Sequence, residues 1–196
     1  MHTRQEEEIM KDWNEITVML KMTKSEAIAQ LLKMGYQHEI TYLIQDYYYL
    51  PSTADLSKDT LDLLNDMVLI RKFNESVKLT IKRKKYDSDG SIISQTNTDL
   101  PVENFIKAEQ FLKELGYTRV MEIYDEAYIV NKDGLGFAVE NVNNGDWLML
   151  EIEENEFYPQ IKDLKAKLDE SGLHYDDSDY FVKKAQLVYN QHMKNI

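Results

Sequence analysis

The sequence contains no cysteine, and its 196 residues include only 3 prolines and 7 glycines. The first absence excludes a disulfide framework, a thiolate zinc site and a cysteine nucleophile. The second, beside 43% apolar and 11% aromatic residues, excludes a low-complexity or disordered chain. Histidine is also scarce: His2, His38, His174 and His192 are scattered, and none stands at a spacing that pairs two ligands on one helix face. There is no Gly-rich phosphate loop and no Gly-x-Ser-x-Gly elbow. Positive charge is short, with 23 Lys and Arg against 35 Asp and Glu, for a net charge of −12. Such a carboxylate excess argues against non-specific contact with nucleic acid or an anionic membrane surface, and neither is an expected partner. Long apolar runs are missing too. Met67-Val68-Leu69-Ile70 is strand-sized, far below the roughly 20 residues of a membrane-spanning helix. Met1 to Asp12 are charged and lack a signal-peptide core, so a cytoplasmic location is expected.

What is present alternates between strand and helix periods. Asn14 to Met22 reads as a strand with Glu15, Thr17, Met19 and Lys21 on one face. Thr23 and Glu26 form a capping box for a short helix ending at Gly35. An aromatic strand follows from Glu39 to Leu50, then a short helix or turn near Leu61 to Leu64. Strands are expected over Met67 to Asn74, Val77 to Lys84 and Ser91 to Leu100, the last two joined by the turn Asp87-Ser88-Asp89-Gly90. Pro101 opens a second amphipathic helix closed by Gly116. Strands then span Arg119 to Val130, Gly136 to Val142 and Trp147 to Glu154, followed by helices from about Tyr158 to Asp169 and Tyr180 to Tyr189. The whole reads as one domain over 1–196. Its core spans 14–190, and residues 1–13 are either disordered or an extra N-terminal segment.

One internal echo bears on the architecture. Leu32-Lys33-Met34-Gly35-Tyr36 matches Lys113-Glu114-Leu115-Gly116-Tyr117 at an offset of 81, and each precedes a strand. Two strand–helix–strand halves followed by hairpins suggest a duplicated antiparallel barrel rather than a parallel sheet.

Two constellations could carry chemistry. Glu151 and Glu153 share one strand face, with Glu140 on the preceding strand and Glu15 on the first. Turned inward, these carboxylates would call for a divalent cation, and oxygen ligands suit Mg²⁺ or Mn²⁺. Turned outward, they would simply face solvent, and alternation alone does not choose. Lys78, Lys82 and Lys84 share a face of another strand, and Arg71 sits on its neighbour. Inward, this row is an anion cradle in which Arg71 grips phosphate oxygens as a fork. Outward, it is a solubilising face.

In this order the residues resemble the CYTH superfamily, the triphosphate tunnel proteins that include class IV adenylyl cyclases and thiamine triphosphatases. The likeness runs from about Asn14 to Val188. The opening strand resembles the family's Glu-x-Glu-x-Lys. Gln45-Asp46-Tyr47-Tyr48-Tyr49-Leu50-Pro51 resembles its Asp-x-Tyr-Tyr stretch. Leu69-Ile70-Arg71 and Leu79-Thr80-Ile81-Lys82 resemble its Arg-x-Arg and Leu-Thr-x-Lys strands, and Gly145-Asp146-Trp147 with Glu151-Ile152-Glu153 its Gly-x-Phe and Glu-x-Glu ending. The resemblance implies an α+β fold, an antiparallel eight-stranded closed or nearly closed β-barrel with helices packed outside. It implies a tunnel in which Arg71, Lys78, Lys82 and Lys84 bind phosphates, Glu140, Glu151 and Glu153 hold Mg or Mn, and Glu15 and Lys82 occupy catalytic positions. The implied partner is a small phosphorylated anion such as tripolyphosphate, a nucleoside triphosphate or thiamine triphosphate.

The departures point to weakened or altered catalysis. Thr17, Met19 and Leu69 replace an acid, the signature Lys and the first Arg, unless Lys21 substitutes from the same face. Glu122, Asp125 and Glu126 stand near where the family carries Lys and Arg. Phosphoryl transfer depends on positioned charge, so lost bases weaken catalysis more than fold. Three readings follow: a remodelled tunnel binding a phosphorylated anion, an active metal-dependent triphosphatase or adenylyl cyclase, and a non-catalytic interaction module.

Overall fold

A computed structural model describes residues 14–194. The expectation for residues 1–13 lies outside the described residues. In chain order the elements are β1 (Glu15–Met19), α1 (Lys24–Lys33), β2 (Gln37–Pro51), α2 (Thr60–Asp66), β3 (Val68–Phe73), β4 (Ser76–Tyr86), β5 (Ile92–Pro101), α3 (Phe105–Glu114), β6 (Tyr117–Lys132), β7 (Leu135–Val142), β8 (Trp147–Glu153), α4 (Ile161–Glu170) and α5 (Lys184–Lys194).

The eight strands form one antiparallel sheet in the order β1-β8-β7-β6-β2-β3-β4-β5. The sheet is α+β in class and strongly curled, a half-barrel whose ladder ends at β1 and β5. The gap between those ends is spanned by side chains and by the segment before α5. Asn14 Oδ1 accepts from the Ile92 amide at 3.1 Å. Thr17 donates to the Tyr180 carbonyl and accepts from the Val182 amide, and the Lys21 amide donates to the His174 carbonyl, so the outer edge of β1 is covered.

The strand order is symmetric about its centre. The long strands β2 and β6 pair at the centre of the sheet, and the order reads outward from them as β3-β4-β5 on one side and β7-β8-β1 on the other. Each central strand is entered from a helix through a glycine in the left-handed region, Gly35 (φ +89) and Gly116 (φ +81), where any Cβ would be strained. The expected capping box is formed: Thr23 Oγ1 accepts from the Glu26 amide, and a Glu26 carboxylate oxygen accepts from the Thr23 amide.

Strand alternation sorts the side chains. Outward, Ile16, Val18, Val139, Leu150 and Ile152 pack under α1 and α4, against Ala27, Leu31, Leu164 and Leu168. The other outer face sets Tyr47, Tyr49, Val68 and Ile70 under α3, against Ala108 and Leu112. Inward, Tyr48, Leu50, Leu69, Met121, Ile123, Val142 and Met149 pack against Leu63 of α2 and Val188 and Tyr189 of α5. Apolar packing thus fills one end of the half-barrel and leaves the other polar. No helix among the described residues is long and apolar enough to cross a membrane.

Candidate functional site

The polar end is a cavity of about 410 Å³ lined by side chains from the sheet and from the start of α5. Its acidic wall follows from the register of β1, β6, β7 and β8. Glu15 stands opposite Glu153 and Thr17 opposite Glu151. On β7, Glu140 lies two residues from Ala138, the partner of Glu151. It also lies diagonally from Asp125, since Asp125 pairs with Val142 and Glu140 with Ala127. Carboxylate oxygens of Glu15, Glu151 and Glu153 all come within 4.8 Å of one another. Such crowding opposes ionisation. Burial, reinforced by the neighbouring carboxylates, raises Glu151 well above the ordinary range. Burial, then Glu15, raises Glu153. Burial outweighs the nearby Lys184 at Glu140 and pushes it up to about 7.

The basic wall comes from β3 and β4. Arg71 gives a bidentate fork to Asp46 of β2, Nε at 2.7 Å and Nη2 at 2.6 Å. Although burial works against the charge on Arg71, these contacts hold its guanidinium protonated above the usual value. Lys84 reaches across the open side of the sheet to Glu15 at 3.0 Å. The Lys82 ammonium, between them, has no ion pair or hydrogen bond among the described residues. Burial and the adjacent Arg71 charge push its ammonium down to about 8. Tyr42, Tyr48, Tyr86 and Phe181 add aromatic wall.

A third contribution comes from Lys184, the first residue of α5. Its Nζ lies 2.7 Å from Glu140 Oε2 and hydrogen-bonds Asp125 Oδ2. Burial disfavours the Lys184 charge, but Glu140, Glu151 and Asp125 outweigh it and hold the ammonium well above the ordinary lysine value.

No family model matches the chain, and no curated protein does. Solved structures do. PH1819 of Pyrococcus horikoshii OT3 is 19% identical, with a TM-score of 0.64 over 91% of this chain and 99% of that one. HpAC1 from Hippeastrum, assigned as an adenylyl cyclase and described as having a dominant triphosphatase activity, is 16% identical, with a TM-score of 0.62 over 91% and 95%. A chain of the Schizosaccharomyces pombe Mediator head module is 10% identical, with a TM-score of 0.52 over 81% and 92%. The fold is the one these solved structures share, and it is consistent with the CYTH resemblance of the sequence. At these identities the likeness is one of fold.

Within the half-barrel the expected residues divide. Arg71, Lys82, Lys84, Glu15, Glu140, Glu151 and Glu153 all line the cavity. Lys78 lies on the same strand face but outside the lining, where it pairs with Asp99. Glu15 joins Glu151 and Glu153 in the convergent carboxylate group, whereas Glu140 is engaged by Lys184. Lys21 is no substitute for the signature Lys. β1 ends at Met19, and the Lys21 ammonium lies on the exterior, 3.3 Å from Asp176. Of the acids on β6, only Asp125 faces the cavity; Glu126 lies outside, 3.4 Å from Lys24. Sequence reasoning missed Lys184. Its signal was the pair Lys183-Lys184 opening a helix, where cations oppose the helix dipole.

Proposed function

We propose that the cavity binds a small phosphorylated anion and that its catalysis is weakened relative to a triphosphate-processing enzyme. The observation that supports this best is the Lys82 ammonium, without an ion pair among the described residues and flanked by Arg71 and Lys84 inside a polar cavity. An anion placed there offsets the burial and the Arg71 repulsion that depress Lys82, and it accepts charge-assisted hydrogen bonds worth roughly 1.5–3 kcal/mol each. The weakening is argued from the pairing. Arg71, Lys84 and Lys184 already hold carboxylates, so a ligand carrying about four negative charges must compete with internal partners for nearly every contact.

A divalent cation fits the other wall. The donor set of Glu15, Glu151 and Glu153 is all oxygen, and two of its members are held toward their neutral forms by burial and then by neighbouring carboxylates, which a cation would offset. Mg²⁺ or Mn²⁺ there would neutralise phosphate charge and polarise a phosphoryl oxygen. Within this arrangement Lys82 orients the anion, and Glu15 divides its charge between cation and Lys84.

Calorimetric titration with tripolyphosphate, ATP and thiamine triphosphate, with and without Mg²⁺ or Mn²⁺, tests the reading. Binding of at least one of them, reduced about tenfold or more by Lys82→Met, is expected. Flat titrations with all three remove it. Turnover at roughly 1 s⁻¹ or faster, abolished in a Glu151→Gln/Glu153→Gln variant, replaces it with the fully active enzyme. A binding-only protein remains the second reading, favoured by the fold's occurrence in a chain of the Mediator head module.

A further inference from the structure

Lys184 is placed against local preference. A helix N-terminus presents unpaired amides and a positive dipole end, so acids and capping hydroxyls belong there and cations do not. The first turn of α5 contains no acidic residue, and the helix opens with Lys184 directly after Lys183. Lys183 settles elsewhere, giving its ammonium to the Phe181 carbonyl and lying over the Tyr86 ring. Lys184 instead enters the cavity and is only 21% exposed. Its carboxylate partners are more deeply buried still, with Asp125 at 6% and Glu140 at 3% side-chain exposure.

These two acids are the part of the acidic wall that the Glu15–Glu151–Glu153 group leaves out. Two like charges diagonal across β6 and β7, both buried, do not persist without a cation. The ammonium does not exhaust their ligand capacity. The second oxygen of Asp125, Oδ1, is buried with no hydrogen-bond partner among the described residues. The pair is therefore satisfied as a charge and under-satisfied as a set of oxygen donors.

We propose that Lys184 is a tethered cation, carried into the cavity by the protein's own C-terminal helix, and that it occupies a latent divalent-cation site formed by Asp125 and Glu140. While it is seated, the site needs no metal and admits none, and α5 is anchored over the cavity by the same contact. Removing the ammonium exposes a buried pair of carboxylates to which Mn²⁺ or Ca²⁺ can bind with oxygen ligands. The inference concerns Asp125, Glu140 and Lys184 and stands whether or not the cavity binds phosphate.

The test compares the full chain with Lys184→Met and with Lys184→Met/Asp125→Asn/Glu140→Gln. Mn²⁺ binding is counted by calorimetry and by the loss of the free-ion electron paramagnetic resonance signal. Lys184→Met should bind one Mn²⁺ more per chain than the unaltered protein, and the triple variant should lose that gain. Without metal, Lys184→Met should melt about 10 °C lower, Mn²⁺ should restore most of the loss, and the triple variant should recover without it. A folded Lys184→Met with unchanged Mn²⁺ stoichiometry overturns the proposal. So does a destabilised Lys184→Met that Mn²⁺ fails to rescue, which would leave Lys184 a structural ion pair only. Because Mn²⁺ is titrated without phosphate, failure of the anion titrations above leaves this outcome unaffected.

Discussion

In the half of the sheet built from β2, β3, β4 and β5, the cavity wall carries Arg71, Lys82 and Lys84 with a single cavity-lining carboxylate, Asp46. In the half built from β6, β7, β8 and β1 it carries Asp125, Glu140, Glu151, Glu153 and Glu15, with no base of its own. The halves share a topology about the β2–β6 pair and an apolar outer face under helices. What differs is the inward face. Outward positions are constrained by packing against helices, while inward positions near the open end touch a cavity and are free to diverge in charge. The acidic half then borrows its counter-charges, Lys84 from across the gap and Lys184 from α5. The basic half neutralises Arg71 within itself.

The largest expected effect comes from breaking the pair internal to the basic half. Asp46 is 5% exposed and takes both arms of the Arg71 fork. Arg71→Met should cost about 3–5 kcal/mol in denaturant unfolding, because a buried carboxylate loses its partner. Asp46→Leu/Arg71→Met should recover most of that loss, since removing both charges also removes the desolvation penalty. If Arg71→Met alone is nearly neutral, the fork contributes little to the fold.

Opposite responses to pH sharpen the comparison. Glu140 rises from 4.5 to about 7 on folding, so the folded state binds more protons than the unfolded state between those values. Stability from this group is present below pH 4.5 and is lost as pH rises through about 7, a fall of about 3 kcal/mol. The raised Glu151 and Glu153 act in the same direction. Lys82 drops from 10.5 to about 8, so between those values the unfolded state binds more protons and stability rises with pH. The penalty for its charge is full below about pH 8 and gone above 10.5. Unfolding measured from pH 5 to 10 should therefore fall and then recover. Glu140→Gln should flatten the first limb and Lys82→Met the second. A wild-type profile that only rises across this range would contradict the picture of the acidic wall.

How much of this was legible in the sequence depends on which physical rule governed each residue. Period-2 alternation and turn residues were enough to locate all eight strands, and the echo ending in Gly35 and Gly116 announced the two-halved sheet. Alternation also put Lys82 and Lys84 on one face, and Glu151 and Glu153 on one face. It could not say that these faces were inward, because that depends on the helices covering the opposite side. Pairing was less legible still. The Asp46–Arg71 fork follows from the register of β2 against β3. Glu15 joins Glu151 and Glu153 through the register of β1 against β8. Lys184 was hidden because its partners lie far back in the chain, Asp125 59 residues away on β6 and Glu140 somewhat nearer on β7. Helix α5 also begins at Lys184 rather than near Tyr180, so the lysine stands at a helix start and not within an exposed turn.

The smallest effects should come from the helices that enter the two halves, α1 before β2 and α3 before β6. Both begin at a side-chain cap, but the caps differ. Thr23 and Glu26 satisfy each other's amides reciprocally. Asn104 accepts from the Lys107 amide at 2.9 Å, with a lysine where the reciprocal acid would stand. Thr23→Ala and Asn104→Ala should each lower stability by about 1 kcal/mol. Glu26→Ala should remove a further fraction in α1 through the Thr23 amide. Lys107→Ala should change stability by less than about 0.5 kcal/mol, because the exposed Lys107–Glu103 pair is screened by solvent. Equal losses at Glu26 and Lys107 would mean that the reciprocal cap adds nothing, and that the helices entering the two halves are equivalent despite their sequences. Unequal losses would extend to the helices the asymmetry already seen in the walls: one symmetric frame, with side chains differing wherever packing does not hold them.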